Sequence, residues 1–173
     1  MLNCFEKQIK TIFSKNKLKM DFTFQVLQNI RGIFNRIIEE NSSEDLNKIP
    51  KGFNNNIIWN IGHVVVSEQL LAYKLSGLET SLSESMINKY RKDSIPEGDI
   101  TQEEINAIKA LLVSTIKKTE ADYKKGIFKN YNAYTVSTTG NTLNNIDEAL
   151  QFIMAHEGIH YGYVLALLKA VKN

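Results

Sequence analysis

Residues 142–171 read TLNNIDEALQFIMAHEGIHYGYVLALLKAV, and this stretch decides the fold. Ile153, His156, His160, Val164, Leu167, Leu168 and Val171 recur every three or four residues. That spacing keeps side chains on one face of an α-helix. It predicts a helix that starts between Thr142 and Asn145 and ends at Val171. Two histidines four residues apart stand inside its apolar stripe.

Working back along the chain, three more stretches carry the same period. From about Asp21 to Asn41, Val26, Leu27, Ile30, Ile33, Phe34, Ile37 and Ile38 form one stripe, with Asp21 as the expected N-cap. From about Asn56 to Ser76, Ile57, Ile58, Ile61, Val64, Val65, Leu71 and Leu75 supply apolar faces, and Gly77 stands where a left-handed C-terminal cap belongs. After Thr101, the Thr101-x-x-Glu104 capping box opens a helix through Ile105, Ile108, Leu112, Ile116 and Tyr123, closed by Gly126. Four amphipathic helices predict an all-α fold, a four-helix bundle spanning residues 21–173. Residues 1–20 are expected to be an N-terminal extension, at most a short helix, with Leu2, Phe5, Ile9, Ile12 and Phe13 at near-helical spacing. The inter-helix loops 42–55, 77–100 and 127–141 are long, which suggests a crossover or a role in building a site. Residues 77–100 are expected over one end of the bundle, and residues 127–141 hold at most one short extended piece.

The chain has 173 residues, of which 43% are apolar, enough for a single core without disulfides. Cys4 is the only cysteine, so no internal disulfide and no cysteine metal cluster can form. No apolar run reaches the ~18 residues of a membrane span, and the lysine-rich lead-in lacks the form of a secretory signal. A cytoplasmic location is therefore expected, with Cys4 a free thiol. Five Lys and one Glu in residues 1–20 put the basic excess on the leading segment, while the remaining residues are slightly acidic. A nucleic-acid partner is not expected, because its footprint is a basic stripe across the folded body. Nor is a membrane-surface helix, for which the apolar face of the lead-in is a weak anchor. The expected partner is a small-molecule substrate; self-association into a homodimer through a helix face is compatible with a bundle.

All three histidines fall on predicted helices. His156 and His160 lie one turn apart in a core stripe, where buried ring nitrogens require partners. A divalent cation satisfies both, and a histidine pair at this spacing is a recurrent two-ligand set. His63 lies mid-way along the second helix, on a polar ribbon with Asn56, Asn60 and Ser67 and with Trp59 and Leu70 alongside. Facing helices of a bundle build metal sites at such positions. One reading therefore gathers His63, His156 and His160 around one ion, with Asn60, Ser67 and Trp59 as pocket lining. The ordinary alternative satisfies each ring with a backbone carbonyl or a hydroxyl.

His156-Glu157-Gly158-Ile159-His160 also spells H-E-x-x-H, the pattern in which zinc proteases use the Glu as general base. The third ligand such enzymes need is missing: Tyr163 and Ala166 stand where glycine and histidine would follow, and no Asp or Glu comes after Glu157. A protease is not expected. Glu157 points about 80° away from the direction shared by the two histidines. It is a candidate base or ligand partner, with a solvated helix charge as the favoured reading. Tyr163 lies about 40° off that direction, one turn on, and is a candidate substrate-polarising residue or a packing aromatic.

Trp59-Asn60-Ile61-Gly62-His63, then Glu148-Ala149-Leu150 and His156-Glu157-Gly158-Ile159-His160-Tyr161-Gly162, resemble the DinB/YfiT-like superfamily over about residues 21–171. The resemblance implies a four-helix bundle in which three histidines, here His63, His156 and His160, hold a divalent metal, zinc or nickel. Similar proteins of known chemistry include thiol-dependent transferases and isomerases, so the resemblance favours an S-transferase working with a low-molecular-weight thiol; the open three-histidine site would equally serve a hydrolase. A metal-stabilised bundle that binds a small ligand or protein partner without catalysis is the other class it allows. The family's last motif often continues Gly-Gln, whereas Gly162 is followed here by Tyr163.

Overall fold

The computed structural model describes the backbone of residues 4–172 and the side chains of residues 20–172. The apolar pattern in the lead-in and the Cys4 thiol lie outside the described side chains. Helix α1 runs Cys4–Glu40, α2 Ser43–Asn47, and α3 Ile57–Gln69, which continues into a π-helical turn at Leu70–Lys74. Then come α4 (Glu84–Tyr90), α5 (Gln102–Lys125), the strands β1 (Tyr134–Thr135) and β2 (Thr142–Leu143), and α6 (Ile146–Val171). In the bundle, α1 and α3 each pack against both α5 and α6.

Local chemistry sets most of these boundaries. Asn56, Thr101 and Asn145 cap α3, α5 and α6 by accepting from the backbone N–H of Trp59, Glu104 and Glu148. Gly126 closes α5 in the left-handed conformation, at φ 69°. Glu104 does not complete the capping box; its carboxylate instead accepts from the Tyr90 hydroxyl and the Lys89 ammonium.

Two expectations need correction. Helix α1 passes without a break through residue 20, so Asp21 is an interior helical residue, 3.7 Å from the Lys124 ammonium, and not an N-cap. The loops are also more ordered than their polar composition suggests. Ser42 and Ser83 cap α2 and α4, two short helices inside the stretches read as loops. β1 and β2 pair antiparallel, Tyr134 opposite Leu143 and Thr135 opposite Thr142. The single extended piece expected in 127–141 is one arm of this small hairpin.

The main core joins Phe34, Ile57, Ile61, Val64, Val65, Ile105, Ile108, Leu112, Val164 and Leu167. One fully buried residue of the α1 stripe is Arg31. Its guanidinium donates to both oxygens of Glu157, to Thr115 Oγ1 at 2.8 Å and to the Leu112 carbonyl at 3.3 Å. A second buried carboxylate, Glu68, lies 3.8 Å from the same guanidinium and accepts from Gln69 and Thr119. This network ties α1, α3, α5 and α6 together at one level of the bundle. No helix among the described residues is long and apolar enough to cross a membrane.

Candidate metal centre and its cavity

His63 on α3 and His156 and His160 on α6 come together. One nitrogen of each lies within 4.8 Å of the others, and His156 Nε2 is 3.2 Å from His160 Nε2. The edge of a tetrahedron with zinc–nitrogen bonds of 2.0–2.1 Å is about 3.3 Å. The spacing of the α6 pair thus suits two ligands of one ion. Among the described residues, no carboxylate or cysteine joins the group.

The outer ring nitrogens show how two of the rings are held. His63 Nδ1 is 2.7 Å from the Tyr90 carbonyl, which can only accept, so the proton sits on Nδ1 and the Nε2 lone pair faces the site. Trp59 stacks on the same ring, with centroids 5.0 Å apart and planes 8° from parallel. His160 Nδ1 is 2.9 Å from Asn60 Oδ1. The Asn60 amide cannot be turned around, because its nitrogen donates to Asn55 Oδ1 and the Asn56 carbonyl. His160 therefore also presents an Nε2 lone pair inward. Outer hydrogen bonds of this kind orient the histidines of metal sites and raise their basicity. Among the described residues, no such partner holds the outer nitrogen of His156, and its Nε2–H donates to His160 Nε2.

All three rings stay neutral over a wide range, as metal ligands must. Burial pulls the His63 pKa down against the Tyr90 hydrogen bond. Burial, together with the charge on His63, lowers His156 to about 4. Burial, followed by the charges of His156 and His63, lowers His160 to about 3. Below pH 6.5 the unfolded chain takes up protons at these positions and the folded chain does not, so stability falls with pH until the folded values are reached. In the metal-free protein, the urea midpoint is expected to drop steadily from pH 7 towards pH 4, and less in His160→Phe. A midpoint flat over that range would contradict the buried, neutral state of the rings.

The three rings lie at the base of a cavity of about 370 Å³, whose wall is built by Leu70, Leu71, Leu75, Val136 and Phe152. Ser67 also borders it, its hydroxyl 3.2 Å from His63 Nε2. Of the residues read as pocket lining, only Ser67 reaches the cavity; Asn60 and Trp59 stand behind the rings and hold them. Glu157 is not a solvated helix charge. It is fully buried, faces away from the cavity, and has both oxygens engaged by Arg31. Tyr163 does not border the cavity either, and packs edge-on against Phe53 with centroids 5.6 Å apart.

Several residues of the site escape sequence reasoning. Tyr90 lies outside any predicted helix, and its contact is a backbone carbonyl, which no side-chain pattern reveals. Val136 and Tyr134 reach the cavity from the hairpin, where no periodicity marks an inward face. Lys74 also lines it, and here a signal existed: eleven residues after His63, it returns to the same helix face.

No curated protein matches the sequence. The sequence pattern that defines the DinB superfamily matches residues 27–164, and the chain belongs to that superfamily.

Proposed function

We propose that this member of the DinB superfamily is a metal-dependent enzyme that holds one zinc or nickel ion through His63, His156 and His160 and transfers a low-molecular-weight thiol to a small electrophile. The observation that supports it best is the opening of a three-imidazole donor set onto a cavity. Structural zinc sites are closed by four protein ligands, whereas catalytic ones leave a position for substrate. When bound, the ion supplies a Lewis acid that lowers the pKa of a thiol or of water. Hydrolysis would draw on the same donors; the family resemblance favours thiol transfer.

The chain's own residues do the rest. Tyr90 and Asn60 keep two rings aimed inward, so that His63 and His160 need little reorganisation on binding, whereas His156 has to shift its proton to Nδ1. Leu70, Leu71 and Phe152 exclude water from the base of the cavity, which strengthens electrostatic interactions there. The Ser67 hydroxyl is placed to hydrogen-bond a polar head group beside the rings. In the overall reaction the thiol proton passes to solvent, sulfur bonds to the electrophilic carbon and the leaving group departs with its electron pair.

The test is turnover of a low-molecular-weight thiol with an activated chloroarene by zinc- or nickel-loaded protein, followed by chloride release. Turnover is expected to vanish on chelation and in His156→Ala, with helical content preserved. Undiminished turnover in either case would overturn the proposal.

A further inference from the structure

The charged side chains that line the cavity, among the described residues, are two lysines, Lys74 and Lys92. No carboxylate among the described residues lines it, and the wall is mostly apolar, with the hydroxyls of Ser67, Ser137 and Thr138 among its carbon side chains. Both lysines are exposed, whereas His63 is buried and the other two rings are half-buried, so the ammonium groups sit at the mouth and the imidazoles at the base. Lys92 is partly neutralised by Asp93, 2.9 Å away. Lys74 makes no ion pair among the described residues.

The local backbone explains why Lys74 is there. Leu75 N–H donates to the Leu70 carbonyl, five residues back, in a π-helical turn. Such turns are rare and occur often at functional sites. This one directs Ala72 and Tyr73 into the core while Leu70, Leu71, Lys74 and Leu75 border the cavity. A cation beside a low-dielectric wall attracts an anion more strongly than it would in open water.

Resting on the proposed function, we propose that the small-molecule ligand of this site carries an apolar body and, at the end remote from the reacting group, a carboxylate or phosphate held by Lys74 with Lys92 assisting. The volume, near the lower end for ligand pockets, suits a compact molecule of this kind. The imidazoles then define where the ligand reacts, and the lysines define which ligands are admitted.

The test is calorimetric titration of the zinc-loaded full chain with ω-mercaptooctanoate, ω-mercaptooctyl phosphate and ω-mercaptooctanol, which share a thiol head and an alkyl body. At least one of the two anions is expected to bind about fivefold tighter than the alcohol. The tighter of the two identifies the group. Lys74→Gln should erase most of that preference, weakening the anions more than the alcohol. Equal affinity of all three in the wild-type protein would overturn the proposal, as would a preference that survives Lys74→Gln combined with Lys92→Gln. Zinc content measured on the same samples separates the two readings. If the wild-type chain takes up no zinc, the metal reading fails, and octanoate against octanol on the metal-free chain still decides the role of the lysines.

Discussion

Arg31→Ala is expected to lower the unfolding free energy by about 3–5 kcal/mol, the effect of removing one partner from a buried ion pair. Arg31 and Glu157 are 1% and 0% exposed, and the guanidinium reaches both carboxylate oxygens at 2.7–3.3 Å. Alanine leaves Glu157 and Glu68 without the cation they share, and both carboxylates are fully buried. Thr115 Oγ1 and the Leu112 carbonyl lose a donor as well. The burden therefore falls on the orphaned acids more than on the lost pair. For that reason Arg31→Met combined with Glu157→Leu should recover part of the deficit, since apolar replacement of both partners is often close to neutral, while the buried Glu68 still lacks its cation and keeps the recovery incomplete. Urea unfolding measures both. An Arg31→Ala protein within about 1 kcal/mol of wild type would show that the pair is not buried as described.

Gly62→Ala is the second large effect, and it connects stability to the site. A Cβ at Gly62 would lie 2.6 Å from Tyr90 Cδ1 and 2.8 Å from Cε1. Tyr90 cannot simply swing aside, because it is 1% exposed and its hydroxyl donates to Glu104 at 2.6 Å. Helix α4 must move, and the carbonyl that holds His63 Nδ1 moves with it. Overpacking of this kind costs about 1–3 kcal/mol. Loss of an outer-shell partner typically weakens metal binding by about 10- to 100-fold. The expected result is a lower urea midpoint together with a weaker zinc Kd. Lost stability with unchanged zinc affinity would mean that the Tyr90 carbonyl does not set the His63 ring.

The parts of the fold legible in the sequence are those with local causes. Asn145, Thr101 and Gly126 announce helix ends through their own side chains or backbone freedom, and the apolar period marks which faces turn inward. The histidines were legible for the same reason: His156 and His160 interrupt an apolar stripe at helical spacing, and His63 shares a face with Asn60 and Ser67. What escaped depends on residues far apart in the chain. Arg31 looks like a surface charge, and Glu157 was read as one, because the pairing that permits their burial joins positions 126 residues apart. Residues 1–20 carry apolar residues at near-helical spacing, but terminal segments are commonly loose, and nothing local says that the helix runs on through residue 20. Tyr90, at the end of the short helix α4, and Val136, next to β1, enter the site from stretches too short for a period to tell inside from outside.

The most direct measurement is calorimetric titration of metal-free protein with zinc, on the wild type and on His63→Ala, His156→Ala and His160→Ala. One ion per wild-type chain is expected, with loss of tight binding in each of the three variants and retained helical content. The His63 variant is the decisive one, since the α6 pair alone could hold an ion loosely at its surface. If His63→Ala bound zinc with the stoichiometry and affinity of the wild type, α3 would contribute no ligand, and a shared centre between the two helices would be contradicted.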